Sequence, residues 1–278
     1  MSRIQNILEK AERDGSVRRT RNLAEPIAAA TLANIHTATP PPLPVPDVHA
    51  PAAPALGRGR LVIGSGLDPK LVAAFAPSAV AAEQYRALRT RILHADPGTS
   101  VNVVLVTSPG RHEGKTLTAA NLALTMAQDF QRRICIVDAN LRNPQLHRTF
   151  GLDGDADGPG LSDVLVGRAT LEDALVFSEE QQLSILPAGS AQQHPAELLG
   201  SSSMRRTLDT LRSAFDRIVI DAPAAAPLAD VGIIAPLVDT VLLVVRAGST
   251  SRPSIQDAVA SIDDAKLLGI VLNETMNA

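Results

Sequence analysis

An α/β domain, with a mostly parallel sheet and helices on both faces, is the fold this sequence predicts. Three observations predict it. Apolar runs of strand length recur from about residue 100 to the C-terminal residues. They do not alternate with polar residues, which suits strands buried on both faces. Helical patterns separate them, and the first run leads straight into a Gly-Lys-Thr turn.

The elements follow in order. Residues 1–20 are expected to form a short amphipathic helix, with Ile4, Ile7, Leu8 and Ala11 at helical spacing. Such a helix is either a solvated surface element or a docking helix for a partner. Residues 21–60 are Ala/Pro-rich, "ATPPPLPVPDVHAPAAPALGRGR" among them, and eight prolines fall between Pro26 and Pro54. This stretch cannot bury enough surface to fold and reads as an extended, semi-rigid, disordered linker. The globular domain is expected over 61–278. Its strands are "VNVVLVTS" (101–108), "RICIVDA" (133–139), "LSILPAG" (183–189), "RIVIDAP" (217–223), "TVLLVVR" (240–246) and "LLGIVLN" (267–273). Helices are expected over 116–130, 201–214 and 252–265.

Composition narrows the classes. Apolar residues make up 45% and aromatics 2%, so the core must be Val, Ile, Leu and Ala. A net charge of −3 argues against a broad nucleic-acid-binding surface. Cys135 is the single cysteine, which rules out an intrachain disulfide, and its place inside a strand makes it a core residue. No apolar run approaches the roughly 20 residues of a membrane helix. The N-terminus is too charged for a signal peptide. These features predict a cytoplasmic protein whose membrane contact, if any, goes through a partner or a peripheral helix.

The chemistry concentrates at strand ends, where ligands bind in open α/β sheets. "SPGRHEGKT" (108–116) joins a strand to a helix and ends in Gly114, Lys115 and Thr116. It departs from G-x-x-x-x-G-K-[ST] at its start, where Pro109 stands in place of the first glycine and Gly110 comes one residue late. Backbone amides at a helix N-terminus have no intrahelical partner and favour phosphate. Residues Gly110, Arg111, His112, Glu113, Gly114, Lys115, Thr116 and Leu117 are the expected nucleotide contacts. Lys115 reaches the outer phosphates and Thr116 binds Mg²⁺. Asp138 and Asp221 each end a strand. Together they read as carboxylates for Mg²⁺, with one as a base for an incoming hydroxyl; the alternative for each alone is a simple loop cap. The fold is therefore that of a P-loop NTPase. The absence of G-x-G-x-x-G argues against a dinucleotide oxidoreductase.

The ordered set "VTSPGRHEGKTLTAANLA", "ICIVDANLRNPQLHRTFGL", "GLSDVLVG", "LPAGSAQQHPAELL", "FDRIVIDAPAAAPLAD" and "VLLVVRAGST" resembles the bacterial tyrosine kinases (BY-kinases) of capsule and exopolysaccharide synthesis. It covers about residues 75–275. The likeness is greatest to exosortase-associated tyrosine autokinases, within the Min/Par-type P-loop ATPases. The resemblance implies ATP and Mg²⁺ as cofactors, with Lys115 and Asp138 catalytic and Thr116, Asp138 and Asp221 at the metal. It implies a membrane chain-length or co-polymerase partner and an ATP-dependent homo-oligomer. Glu83, Arg86 and Arg89 match its E-x-x-R-x-x-R assembly motif, on a stretch that otherwise reads as a charged helix face. Asn273 is implied to lie near the adenine.

Three features differ from the family pattern. Its usual glycine two residues before Gly114 is His112, which crowds the phosphate, contacts it or, like most surface histidines, does neither. Its D-x-D is Asp138-Ala139-Asn140, and Asn140 carries no charge. The closing stretch "VLNETMNA" has no tyrosine cluster; Tyr85 is the one tyrosine, a candidate phospho-acceptor or a packing residue. Two further readings therefore accompany the kinase: an ATP-hydrolysing switch without protein kinase activity, and a nucleotide-sensing scaffold.

Overall fold

A computed structural model describes residues 60–61, 66–94, 101–129, 131–152, 158–225, 229–262 and 266–274. They belong to one compact unit, His49–Ala278. The predicted N-terminal helix and nearly all of the Ala/Pro-rich stretch lie outside the described residues.

Eight strands form one sheet: β1 (Arg60–Leu61), β2 (Val103–Thr107), β3 (Ile134–Asp138), β4 (Val176–Ser178), β5 (Leu183–Leu186), β6 (Arg217–Asp221), β7 (Thr240–Arg246) and β8 (Leu267–Asn273). Their order is β1-β4-β5-β3-β6-β2-β7-β8. Every pairing is parallel except β4 with β5. The six apolar runs are all strands. β1 and β4, of two and three residues, are too short to leave a periodic signal.

The helices are α1 (Val72–Phe75), α2 (Val80–Leu93), α3 (Lys115–Ala127), α4 (Leu146–Thr149), α5 (Leu161–Leu165), α6 (Leu171–Ala174), α7 (Pro195–Leu199), α8 (Ser202–Ala214), α9 (Asp230–Ile234) and α10 (Arg252–Ala260). Alternate strand residues face opposite layers. Val104, Val106, Ile136, Val219, Leu242 and Val244 share one core cluster with residues of α1, α2 and α3. Leu105, Cys135, Val137, Ile218 and Ile220 are equally buried and fall on the other face. There α8, capped by Ser201, buries Met204, Leu208 and Leu211. Each such Leu or Ile contributes roughly 1.5–3 kcal/mol.

Two features fix the site's frame. α3 carries a polar seam along its buried face. Asn121 accepts from the Ala73 amide (3.0 Å) and donates to Lys70 O (3.3 Å), while Gln128 donates to Ala73 O (3.2 Å). These bonds tie α1 to the helix that leaves the phosphate loop. At the N-terminal edge of the sheet, Asp239 accepts from the Asn102 and Val103 amides (2.8 and 2.7 Å) and from the Arg212 guanidinium (2.7 and 3.0 Å). Burial pushes the Asp239 carboxyl up, but those donors outweigh it and hold it below the usual carboxylate range.

Candidate functional site

The loop 108–114 leaves β2 and enters α3. It is closed by its own side chains. Ser108 Oγ donates to Gly110 O (2.6 Å), and the Gly110 amide donates to Glu113 Oε1 (3.1 Å). His112 has φ 61° and Gly114 φ 91°. The left-handed conformation is free for Gly114 and costs His112 about 1 kcal/mol. At Gly114 a Cβ would collide with Asn273 Nδ2.

Asp138 and Asp221 are register partners at the ends of β3 and β6, and Val106 of β2 lies beside Asp221. The sheet order thus puts both carboxylates next to the phosphate loop. Thr116 Oγ1 donates to Asp221 Oδ2 at 2.7 Å, while the buried Asp221 Oδ1 has no hydrogen-bond partner. Asp138 is held by three backbone amides: Asn140 to Oδ1 (3.0 Å), and Gln145 and Leu146 to Oδ2 (3.2 and 3.0 Å). Burial pushes both carboxyls up; the charge of Asp138 raises Asp221 further, and Lys115 opposes the rise at each. Burial also raises Glu113, against Thr250, the Gly110 amide and Lys115. Lys115 therefore sits among three carboxyls.

The arrangement suits a magnesium nucleotide. Mg²⁺ prefers oxygen ligands, keeps several waters and takes few direct protein contacts. Thr116 Oγ1 and the unpartnered Asp221 Oδ1 are such oxygens. Among the described residues no cluster of three or more His, Cys, Asp or Glu could hold a metal ion by itself.

The remaining predicted residues divide between the site and other places. Arg111 and His112 are exposed on the outer wall of the loop. With the turn after β7 they line an open cleft of about 500 Å³. Leu117 packs against the core beneath the loop. Asn140 is buried, and its Nδ2 donates to Asn143 O (2.9 Å), a loop-bracing role. Asn273 lies against the loop and donates to Glu113 O at 3.0 Å. Glu83, Arg86 and Arg89 lie on α2, away from the carboxylates. Arg86 grips Glu83 with both arms (2.7 and 3.0 Å). Arg89 turns inward and donates to Thr125 O of α3 at 2.8 Å. Tyr85 is partly buried with its phenol toward Thr118, and burial raises its pKa.

Two residues escaped the sequence reading. Arg142, in the loop after β3, forms a two-armed pair with Asp230 at the start of α9 (2.6 and 3.0 Å). The pair braces the loops that follow Asp138 and Asp221. Asn121 is the other, and its signal was visible: an asparagine inside an apolar helix needs buried partners.

A strand–loop–helix ending in Gly-Lys-Thr, flanked by two strand-end aspartates, defines an α/β P-loop nucleotide-binding protein. Comparisons narrow the class. A family profile described as an AAA domain matches residues 110–275. The chain is 33% identical to "Tyrosine-protein kinase YwqD" of Bacillus subtilis (strain 168) over 212 residues, covering 76% of this chain and 88% of that one. It is 34% identical to "Succinoglycan biosynthesis transport protein ExoP" of Rhizobium meliloti (strain 1021), covering 72% of this chain and 26% of that longer protein. The kinase domain of Escherichia coli tyrosine kinase ETK superposes with a TM-score of 0.69 at 25% identity, over 77% of this chain and 84% of that one. The chain belongs to the bacterial tyrosine-protein kinase family. No helix among the described residues is long and apolar enough to cross a membrane.

Proposed function

We propose that this chain is an ATP- and Mg²⁺-dependent protein-tyrosine kinase that regulates exopolysaccharide synthesis or export. One observation carries the reading: Thr116 and Asp221 meet at 2.7 Å beside a phosphate-type loop, with Asp221 Oδ1 unpartnered. Loop amides and Lys115 stabilise the negative charge of the transferring phosphoryl group. Thr116 and Asp221 would hold Mg²⁺, which when bound would shield the phosphate charge. Asp138, fixed by three amides, orients the metal's surroundings and the acceptor hydroxyl. The globular part, 61–278, carries this activity. Glu83, Arg86 and Arg89 serve self-assembly in the ATP-bound state. A membrane chain-length protein is the partner, and it keeps the kinase at the inner face of the membrane.

A second reading is supported by two observations. Asn140 braces a loop where the family pattern has aspartate, and Tyr85 points into the α2–α3 packing. On that reading the chain hydrolyses ATP as a switch and labels no protein. Incubation with Mg²⁺ and ATP labelled on the γ-phosphate separates the two. Label retained on wild type and lost in Tyr85→Phe supports self-phosphorylation at Tyr85. Free phosphate with unlabelled protein supports the switch, or an acceptor on a partner. Lys115→Met is expected to lower phosphate release by about 10²–10³-fold; turnover equal to wild type would overturn both readings.

A further inference from the structure

Asn273 touches the loop itself, not only the place where a base would lie. Its Nδ2 donates to the Glu113 carbonyl at 3.0 Å. The orientation of the amide is set by that partner, because the reverse rotamer would put Oδ1 against a carbonyl oxygen. Its backbone is anchored as well. Asn273 O accepts from the Ala247 amide at 2.9 Å, and the next residue, Glu274, pairs with Arg246 at 2.6 Å. The donor is therefore held by the β7–β8 edge of the sheet.

What it holds is one planar peptide unit, Glu113–Gly114. In a trans peptide the C=O and the following N–H point in opposite directions. Fixing the Glu113 carbonyl toward β8 therefore aims the Gly114 N–H away from β8. The same contact leaves no room for a Cβ at Gly114. It also lies next to His112, whose φ of 61° requires support from surrounding structure.

We propose that Asn273 is a positioning residue for phosphate recognition: by holding the Glu113 carbonyl it sets the loop amides for the ligand's phosphates. This rests on the nucleotide-binding reading above and adds to it, because a residue that only reads the base has no influence on a ligand without one.

Inorganic tripolyphosphate is such a ligand. Its affinity and that of ATP, both with Mg²⁺, would be measured by calorimetry for wild type, Asn273→Ala and Asn273→Asp. Both variants are expected to lose about tenfold or more for both ligands, the effect of about one hydrogen bond. The Asp variant should lose more, because a carboxylate would face the Glu113 carbonyl. Tripolyphosphate affinity within twofold of wild type in Asn273→Ala, with ATP weakened, would overturn the proposal. If wild type bound neither ligand, the nucleotide reading would fall instead. Amide exchange of ligand-free protein then decides the positioning role. Residues 110–114 should exchange faster in Asn273→Ala while β2 and β7 amides keep their protection; unchanged loop exchange would overturn it.

Discussion

Asp239 and Asp221 stand at opposite ends of the same sheet and meet opposite environments. Asp239 accepts from two backbone amides and both arms of Arg212, and its pKa is held down. Asp221 receives one hydroxyl, has a buried oxygen without a partner and faces the charge of Asp138, and its pKa is pushed up. One end of the sheet is finished by its own side chains. The other keeps a buried carboxyl oxygen without a hydrogen-bond partner, beside a second carboxyl and the Lys115 ammonium. Perturbed carboxyls at the ligand end of an α/β sheet are a sign of function, and satisfied ones at the other end a sign of stability.

The largest expected effect breaks the functional end. Asp221→Asn should lower ATP turnover about 100-fold, the scale of losing one preorganised electrostatic group. It should also raise the melting temperature of the ligand-free protein at pH 7. The sign follows from linkage. A carboxyl with a raised folded pKa binds protons more tightly when folded, so stability falls as pH rises through that range. The gain in Asp221→Asn should therefore shrink toward pH 4 and vanish below the unfolded value. A variant less stable than wild type at pH 7 would show that Asp221 also supports the fold.

Asp239→Ala tests the other end and should cost about 2–3 kcal/mol in urea unfolding, because two amides and a guanidinium lose their acceptor. Its partner gives a pH test of opposite sign. A depressed carboxyl stabilises above its unfolded pKa, and that contribution is lost as pH falls through the folded value. Arg212→Ala should move acid unfolding, followed by circular dichroism, to higher pH. Turnover should remain in whatever fraction stays folded. The smallest effect lies in the loop: His112→Gly should raise stability by up to about 1 kcal/mol by releasing a left-handed non-glycine residue. Unchanged or lower stability would mean that contacts of the imidazole offset the strain.

The sequence showed the functional end more clearly than the stable one. Long apolar runs ending in aspartate, and Lys115 opening an apolar helix, are local patterns. They were readable because the chemistry follows the strand immediately. Asp239 and Arg212 are 27 residues apart, and Arg142 and Asp230 are 88 apart. Neither pair has a local pattern, and only the strand order brings its members together. Arg89 illustrates the same limit. Spacing placed it on a charged face, but its reach to Thr125 O depends on how α2 packs on α3. Asn273 was assigned through resemblance, and its contact with the loop depends on β8 ending beside Gly114.

The strand order also sets a schedule for synthesis. β2, which delivers the phosphate loop, pairs with β6 and β7, strands that follow it by more than 100 residues. Asn273 comes later still. As the chain leaves the ribosome, the loop is made early, but its first sheet neighbour is complete only at residue 221 and its second at residue 246, and the clasp comes only with residue 273. Non-local pairing of this kind is slow. A nascent chain therefore has its lysine and threonine long before it has a pocket, and nucleotide capture waits until the β8 stretch has been made.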